Sequence, residues 1–228
     1  MGDFVSNKAS KSTTNGGQQS VPTGKSLRME CSLYDGRGRR KYLVAAEREA
    51  FLQAALQIGG DTGSFCTVLA LSGARVSEVL ALTHEQIDEH RGAINFETLK
   101  RRKKGVIRAV PVPKRLFPYL NNVHHFREAQ CVSQNARSRL WTWSRTTAWR
   151  RVRSVMRIAG NPVYLSNPRS LRHAFGAEAA LRQVPLNLIK KWMGHARLET
   201  TELYTSLMGE EERRLARLTW ISTPNLRF

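Results

Sequence analysis

Acidic residues are scarce in this chain: 18 Asp and Glu stand against 37 Lys and Arg over 228 residues, leaving a formal net charge of +19. Cysteine is nearly missing too. Cys31, Cys66 and Cys131 are widely scattered, with no CxxC spacing and no clustering with the six histidines, so neither a disulfide framework nor a zinc set is expected. Cys66 lies in the apolar run FCTVLAL and reads as a small buried hydrophobe. No apolar run approaches the roughly 20 residues that cross a bilayer, and the start, MGDFVSNKAS, lacks the apolar core of a signal peptide. A soluble, cytoplasmic protein without a membrane partner is therefore expected. Neither a Walker loop, nor a paired-carboxylate metal site, nor a Ser-His-Asp set is visible, so no cofactor, no metal and no small-molecule substrate are expected.

What is abundant is positive charge, and such an excess favours a polyanion through counterion release at its phosphates. Double-stranded DNA is the expected partner. The length suits one full-sized domain with one main hydrophobic core. Residues 1–41 are rich in Ser, Thr, Asn, Gly, Gln and Lys and are read as a flexible basic arm. Its GRGRRK run, residues 36–41, is either a phosphate contact or a solvated charge cluster.

From Tyr42 the pattern becomes helical. LVAAEREAFLQAALQI puts Leu43, Phe51, Ala55 and Leu56 near one face and stops at Gly59-Gly60. SFCTVLALSG is a second helix broken by Gly73, and ARVSEVLAL begins a third, which leaves Arg75 at the turn between them. THEQID reads as a further short turn or helix. AINFETL and VIRAVPV alternate apolar and polar residues on either side of the basic KRRKKG, a β-hairpin with a charged tip. Beyond Phe117 most segments are helical. In TTAWRRVRSVMRIAG, Trp149, Val152 and Met156 form an apolar stripe, while Arg150, Arg151, Arg153 and Arg157 largely avoid it, as a phosphate-facing helix would. The fold class is mainly α with a small antiparallel β-sheet.

Three segments belong together: GARVSEVLAL at 73–82, NPRSLRHAFG at 167–176, and WMGHARLETTELYT at 192–205. They resemble the two boxes of the tyrosine recombinases, the phage integrase family. Arg75 matches the first box. Arg172 and His173 in LRH, His195 in MGH and Tyr204 in TTELY match the second, and Tyr204 follows His195 at the family's usual interval. The resemblance covers roughly residues 43–218. It implies that 42–228 is a recombinase catalytic domain that cuts and rejoins DNA through a 3′-phosphotyrosyl link, acting as a homo-tetramer on paired sites.

The chemistry suits these residue types. Displacing a 5′-hydroxyl from a phosphodiester loads negative charge onto the non-bridging oxygens, and two guanidinium forks can hold it without a metal. Arg75 and Arg172 fit that role, His195 a hydrogen-bond donor to the phosphate, and Tyr204 the nucleophile. Glu78 resembles the family's acidic residue after the first arginine, which implies that it orients neighbouring basic groups, and His173 is expected to support the phosphate site. The resemblance also implies a hairpin lysine that protonates the leaving oxygen. Spacing from the first strand points to Lys100, which we favour, and spacing back from Pro111 to Lys103, with Lys103 otherwise a DNA contact. One position departs from the family pattern: Arg169 stands where His or Lys is usual, and arginine is no base. It either attracts the phenolate or leaves the proton to water or phosphate. Two alternatives stay open, a catalytically impaired DNA-binding accessory, which Arg169 favours, and a type IB-like topoisomerase. GEEERRLARLTW after the tyrosine reads as a short amphipathic helix, which docks on a neighbouring protomer or packs on its own domain.

Overall fold

Helix α2 (Gly60–Ser72) sets the plan of the molecule, because its side chains are buried on nearly every side rather than along one stripe. Such a helix belongs at the centre of a domain. Its hydroxyls are satisfied locally: Thr67 Oγ1 donates to Gly63 O at 2.8 Å, and Ser72 Oγ to Val68 O at 2.7 Å. In the computed structural model, which describes Gly2 and residues 32–98, 106–196 and 198–204, the other elements surround this helix.

Helix α1 (Ala45–Ile58) lies beside α2, and the short α3 (Val76–Leu80) follows it with Arg75 as N-cap residue. The sheet comes next. Strands β1 (Ile87–Asp88), β2 (Ala93–Glu97) and β3 (Ile107–Pro111) are antiparallel in that order, with Ile94 opposite Val110 and Phe96 opposite Arg108. Helices α4 (Leu116–His124), α5 (Phe126–Gln130) and α6 (Ser133–Ala136) lead to α7 (Arg145–Ile158), α8 (Pro168–Leu181), α9 (Leu186–Met193) and α10 (Glu199–Glu202). Short 3-10 turns occupy His84–Gln86 and Val163–Leu165. Among the described residues no helix is long and apolar enough to cross a membrane.

The expected class, helices with a small antiparallel sheet, is what the chain adopts. Several details differ. The THEQID segment supplies a third strand, β1, because Ile87 pairs with Ile94 and buries its side chain. Leu56, placed on the inner face of the first helix, is 46% exposed, and Trp149, placed in the apolar stripe of α7, is 40% exposed. In both helices the inner face is narrower than the apolar pattern. Instead of packing, Trp149 carries the Arg153 guanidinium over its ring at 5.3 Å. The apolar interior also falls into two clusters rather than one. The larger gathers α1, α2, the sheet, α4, α7 and the start of α8. The smaller joins Leu33, Ala177, Ala179, Ile189, Met193 and Tyr204.

Residues 32–42 belong to this smaller cluster's surroundings. Leu33 is fully buried in it, Tyr34 bridges Arg40, and the Arg40 guanidinium pairs with Glu47 at 2.6 Å. The rest of the GRGRRK run is tied down as well, with Arg39 on Asp35 and Lys41 Nζ on Ser32 O. Cys66 is buried as expected and Cys131 is exposed, while Cys31 lies outside the described residues.

A buried polar knot closes the α2–α4 contact. His124 Nε2 lies 2.8 Å from Ser64 Oγ, and its ring meets Trp141 edge-on at 5.0 Å. Asp61 Oδ1 stands 3.9 Å from the ring, so the order imitates a hydrolase triad. Ser64 has no exposed surface, which leaves no route for a substrate. Burial pushes the His124 pKa down to about 4 against the pull of Asp61.

Two outcomes follow from the packing. Phe51→Ala should cost roughly 3–5 kcal/mol in urea unfolding, and Leu56→Ala less than about 1 kcal/mol, since its side chain leaves little behind. The unfolded chain protonates His124 near its usual pKa of 6.5 and the folded chain only near 4, so stability is lost as pH falls through that window. The Tm of the parent should therefore drop more between pH 7 and 4 than that of His124→Gln. Equal pH slopes would show that His124 contributes nothing.

Candidate functional site

The end of α9 organises the site. Gly194 closes the helix in the left-handed conformation, φ 63°, donating to Lys191 O at 3.2 Å, while His195 N reaches back to Lys190 O at 3.1 Å. That satisfies two terminal carbonyls and leaves the next three open. An arginine from a different segment takes each one. Arg108 Nε donates to Trp192 O at 2.8 Å, Arg172 Nη2 to Met193 O at 2.5 Å, and Arg75 Nη2 to Gly194 O at 3.4 Å. Cations suit the negative end of a helix dipole. A side chain on Gly194 would also crowd the Arg108 guanidinium, 3.1 Å from an added Cβ.

Local sequence explains how each arginine arrives there. Asn167 caps α8 by accepting from Ser170 N at 3.1 Å, and Pro168 occupies the first turn, where its missing N–H costs nothing. One turn further in, Arg172 faces inward, and its Nη1 donates to Gly73 O at 2.6 Å. Arg75 enters from the break between α2 and α3, and its Nη1 meets Glu78 Oε1 at 2.8 Å, while Glu78 Oε2 accepts from Arg75 N. Arg108 arrives from β3, with Nη2 on Glu78 Oε2 at 2.7 Å and Nη1 on Thr98 Oγ1 at 3.3 Å. Burial works to raise the Glu78 pKa, but hydrogen bonds and charge from Arg108 and Arg75 hold it below the usual carboxylate value. Two guanidiniums thus share one carboxylate, whose charge also acts on Arg172. Burial, with Arg75 next, lowers the Arg172 pKa to about 10, which leaves it charged at neutral pH.

His195 and Tyr204 close on the same cluster. His195 is buried, with Nδ1 2.9 Å from the hydroxyl of fully buried Thr201. Burial first, and then Arg172 and Arg75, push its pKa down to about 3, so the ring is neutral. Tyr204 is only 2% exposed. Its ring lies flat against Gly176, where an added Cβ would sit 2.3 Å from Cζ, so α8 needs glycine at that turn. The phenolic oxygen stands 3.3 Å from His173 Nδ1. Burial raises the phenol's pKa, and Arg172 pulls it the other way. Burial, then Arg169 and Arg172, lowers the His173 pKa to about 4.

Of the residues picked out in the sequence, Arg75, Glu78, Arg172, His173, His195 and Tyr204 are brought together here. Arg169 is exposed on the first turn of α8, beside His173. Lys100 and Lys103 lie outside the described residues, as does the GEEERRLARLTW segment. Arg150, Arg151, Arg153 and Arg157 are exposed along α7. Among them, Arg151 stacks over Trp143 at 4.2 Å and reaches Thr62 rather than the cluster. Sequence reasoning missed Arg108 and Thr201. For Arg108 a signal existed: it shares the inward parity of β3 with Val110, where a charge needs a partner. For Thr201 there was none, since its partner depends on how α10 turns back.

Comparison with known proteins places the chain in a family. Tyrosine recombinase XerA of Pyrococcus furiosus is 31% identical over 142 residues, covering 61% of this chain and 48% of that protein. The chain thus spans about half the length of that relative. The type 1 fimbriae regulatory protein FimE of Escherichia coli K12 is 29% identical over 181 residues, covering 74% of this chain and 86% of that one. In fold, the chain is similar to the crystal structure of XerH site-specific recombinase bound to difH substrate, with a TM-score of 0.61 at 21% identity, over 80% of this chain and 52% of that one. The model of the phage integrase family matches residues 41–211, a span that holds α1, the hairpin, the arginine cluster and Tyr204. The chain is therefore a member of the phage integrase family, the tyrosine recombinases.

Proposed function

We propose that this protein is a site-specific DNA recombinase that breaks and rejoins strands through a covalent bond between Tyr204 and a 3′-phosphate. The observation that carries the reading is the convergence of Arg75 and Arg172, 97 positions apart by their numbers, on adjacent carbonyls at one helix end, with Tyr204 packed on the same helix as Arg172. Double-stranded DNA is the substrate, as the charge of the chain and the binding of the XerH neighbour to its difH substrate both suggest. The work is done where chromosomal or plasmid DNA is found, in the cytoplasm.

The steps follow from the groups present. A scissile phosphate docks against the unused N–H donors of Arg75 and Arg172, whose charge offsets the negative charge that grows on the non-bridging oxygens. His195 adds a donor in the tautomer that carries the proton of its neutral ring on Nε2, in which Nδ1 accepts from the Thr201 hydroxyl 2.9 Å away. Tyr204 O, its proton passing to water or to a phosphate oxygen, attacks phosphorus, the P–O5′ bond breaks, and the 5′-oxygen takes a proton, for which Lys100 or Lys103 is the proposed donor. The reverse attack by a 5′-hydroxyl releases the tyrosine. The phenol is sheltered and its burial opposes ionisation, so attack requires the Tyr204 oxygen to leave His173 for the guanidiniums.

The exposed arginines of α7 are the proposed backbone contacts outside the reacting phosphate. A homo-tetramer on two paired sites is the proposed assembly, with the segment beyond Tyr204 as its link. One observation favours a second reading, an impaired accessory protein: Arg169 occupies the position where a base is usual, beside a histidine that burial keeps neutral.

Three measurements decide. A nicked suicide duplex should trap the protein covalently, and Tyr204→Phe should abolish the adduct while leaving DNA binding in place; an adduct that survives in that variant removes Tyr204 from the mechanism. Arg75→Ala and Arg172→Ala should each slow adduct formation by about 10²- to 10³-fold. Arg169→His should match or exceed the parent rate in the same assay. A complete loss there would mean that Arg169 has become essential, and no adduct from any form would favour the accessory reading.

A further inference from the structure

The carboxylate of Glu78 is divided between two arginines of unlike accessibility. Oε1 accepts from Arg75 Nη1 at 2.8 Å, and Oε2 from Arg108 Nη2 at 2.7 Å. The Arg75 side chain keeps 28% of its surface in solvent, whereas Arg108 keeps 5% and Glu78 1%. Each nitrogen of the Arg108 fork already has a protein partner: Nε has Trp192 O, Nη1 has Thr98 Oγ1, and Nη2 has Glu78. Its flat face covers Phe96 at 5.3 Å. A guanidinium so enclosed does not meet a DNA phosphate, and the reaction steps above assign it nothing. Burying a charge is costly unless its partners are arranged to compensate, so this arginine calls for a reason.

We propose that Arg108 is a positioning residue for the phosphate site: it holds one oxygen of Glu78, which stops that carboxylate from closing on Arg75 as a bidentate pair and so keeps the Arg75 fork open to a phosphate. An arginine and a carboxylate left alone favour the two-pronged arrangement. In that pair Arg75 would spend two donors on Glu78, and its charge would be cancelled close at hand. With Arg108 on Oε2, the carboxylate gives Arg75 one side-chain contact and one backbone contact, enough to orient it as an N-cap without consuming the fork. The bond from Arg108 to Trp192 O ties this arrangement to the same helix end that receives Arg172, so both forks keep a common frame. The inference rests on Arg75 being a phosphate clamp.

Two readouts test it: the single-turnover rate of covalent capture by the nicked duplex at saturating protein, and the rise in Tm on adding millimolar sodium sulfate, taken relative to Arg75→Ala. The second needs no chemistry. Arg108→Met should slow capture by about tenfold or more, a part of what losing a phosphate donor outright costs, and should lose the sulfate-dependent shift, with DNA affinity much less affected. Adding Glu78→Gln to Arg108→Met should restore much of the rate and of the shift, because an uncharged amide no longer neutralises Arg75. Arg108→Lys, which keeps a cation on Glu78, should stay near the parent. A double variant no better than Arg108→Met, or a lysine variant equally slow, would overturn the proposal and leave Arg108 a packing residue. Should Arg108→Met not fold, Arg108→Gln takes its place in the same comparison. If the parent forms no adduct, the recombinase reading fails, and the sulfate shifts of these variants still decide the role of Arg108.

Discussion

The capture of three consecutive carbonyls at the end of α9 by three arginines is the interaction on which the rest of the site depends. Helix ends carry unpaired carbonyls and partial negative charge, and most are satisfied by water or a glycine turn. Here the glycine turn satisfies two, and guanidiniums from α8, from β3 and from the turn before α3 take the next three. Without that anchor these like charges would repel one another in a half-buried space. With it they are held in a fixed relation, the preorganisation that the proposed electrostatic catalysis requires.

Charge balance explains why the cluster is stable yet still attractive to an anion. Among the described residues a single buried carboxylate, Glu78, compensates part of the positive charge and is held ionised by it. The remainder is positive, and the member with the most exposed surface of the Arg75–Glu78–Arg108 set is Arg75. The histidines follow the same logic: surrounded by arginines and apolar side chains, His173 and His195 stay neutral at physiological pH and act as hydrogen-bonding groups rather than cations.

Tyr204 is where stability and chemistry pull apart. Packed on Gly176 within the smaller apolar cluster, it contributes to the core like any buried aromatic. The same burial raises its pKa and so works against the ionisation that the proposed role as nucleophile needs. In the proposed reaction, a docked phosphate would change the balance by offering the phenolate a site among the guanidiniums.

Much of this was legible in the sequence. The helix breaks at Gly59-Gly60 and Gly73 and the alternating strands around KRRKKG depend on local spacing, which the linear chain carries in full, while the ordered set Arg75, Arg172, His195 and Tyr204 was legible through its resemblance to the family's two boxes. Leu56 and Trp149 were misplaced, because an apolar residue at helical spacing says that it could be buried and not that a neighbour is there to bury it. The third strand, β1, was missed for a similar reason: two residues have no period of their own and become a strand only by pairing with β2. Arg108 and Thr201 are the clearest cases. Their roles come from partners 84 and 6 positions away, Trp192 and His195, and whether a buried polar group is satisfied is a property of the folded arrangement alone. The chain by itself determined which chemical groups were available and on which elements they would lie. Only the tertiary structure decided which of them share a carboxylate, which are sheltered from water, and which face outward, since those depend on contacts between segments that no local pattern encodes.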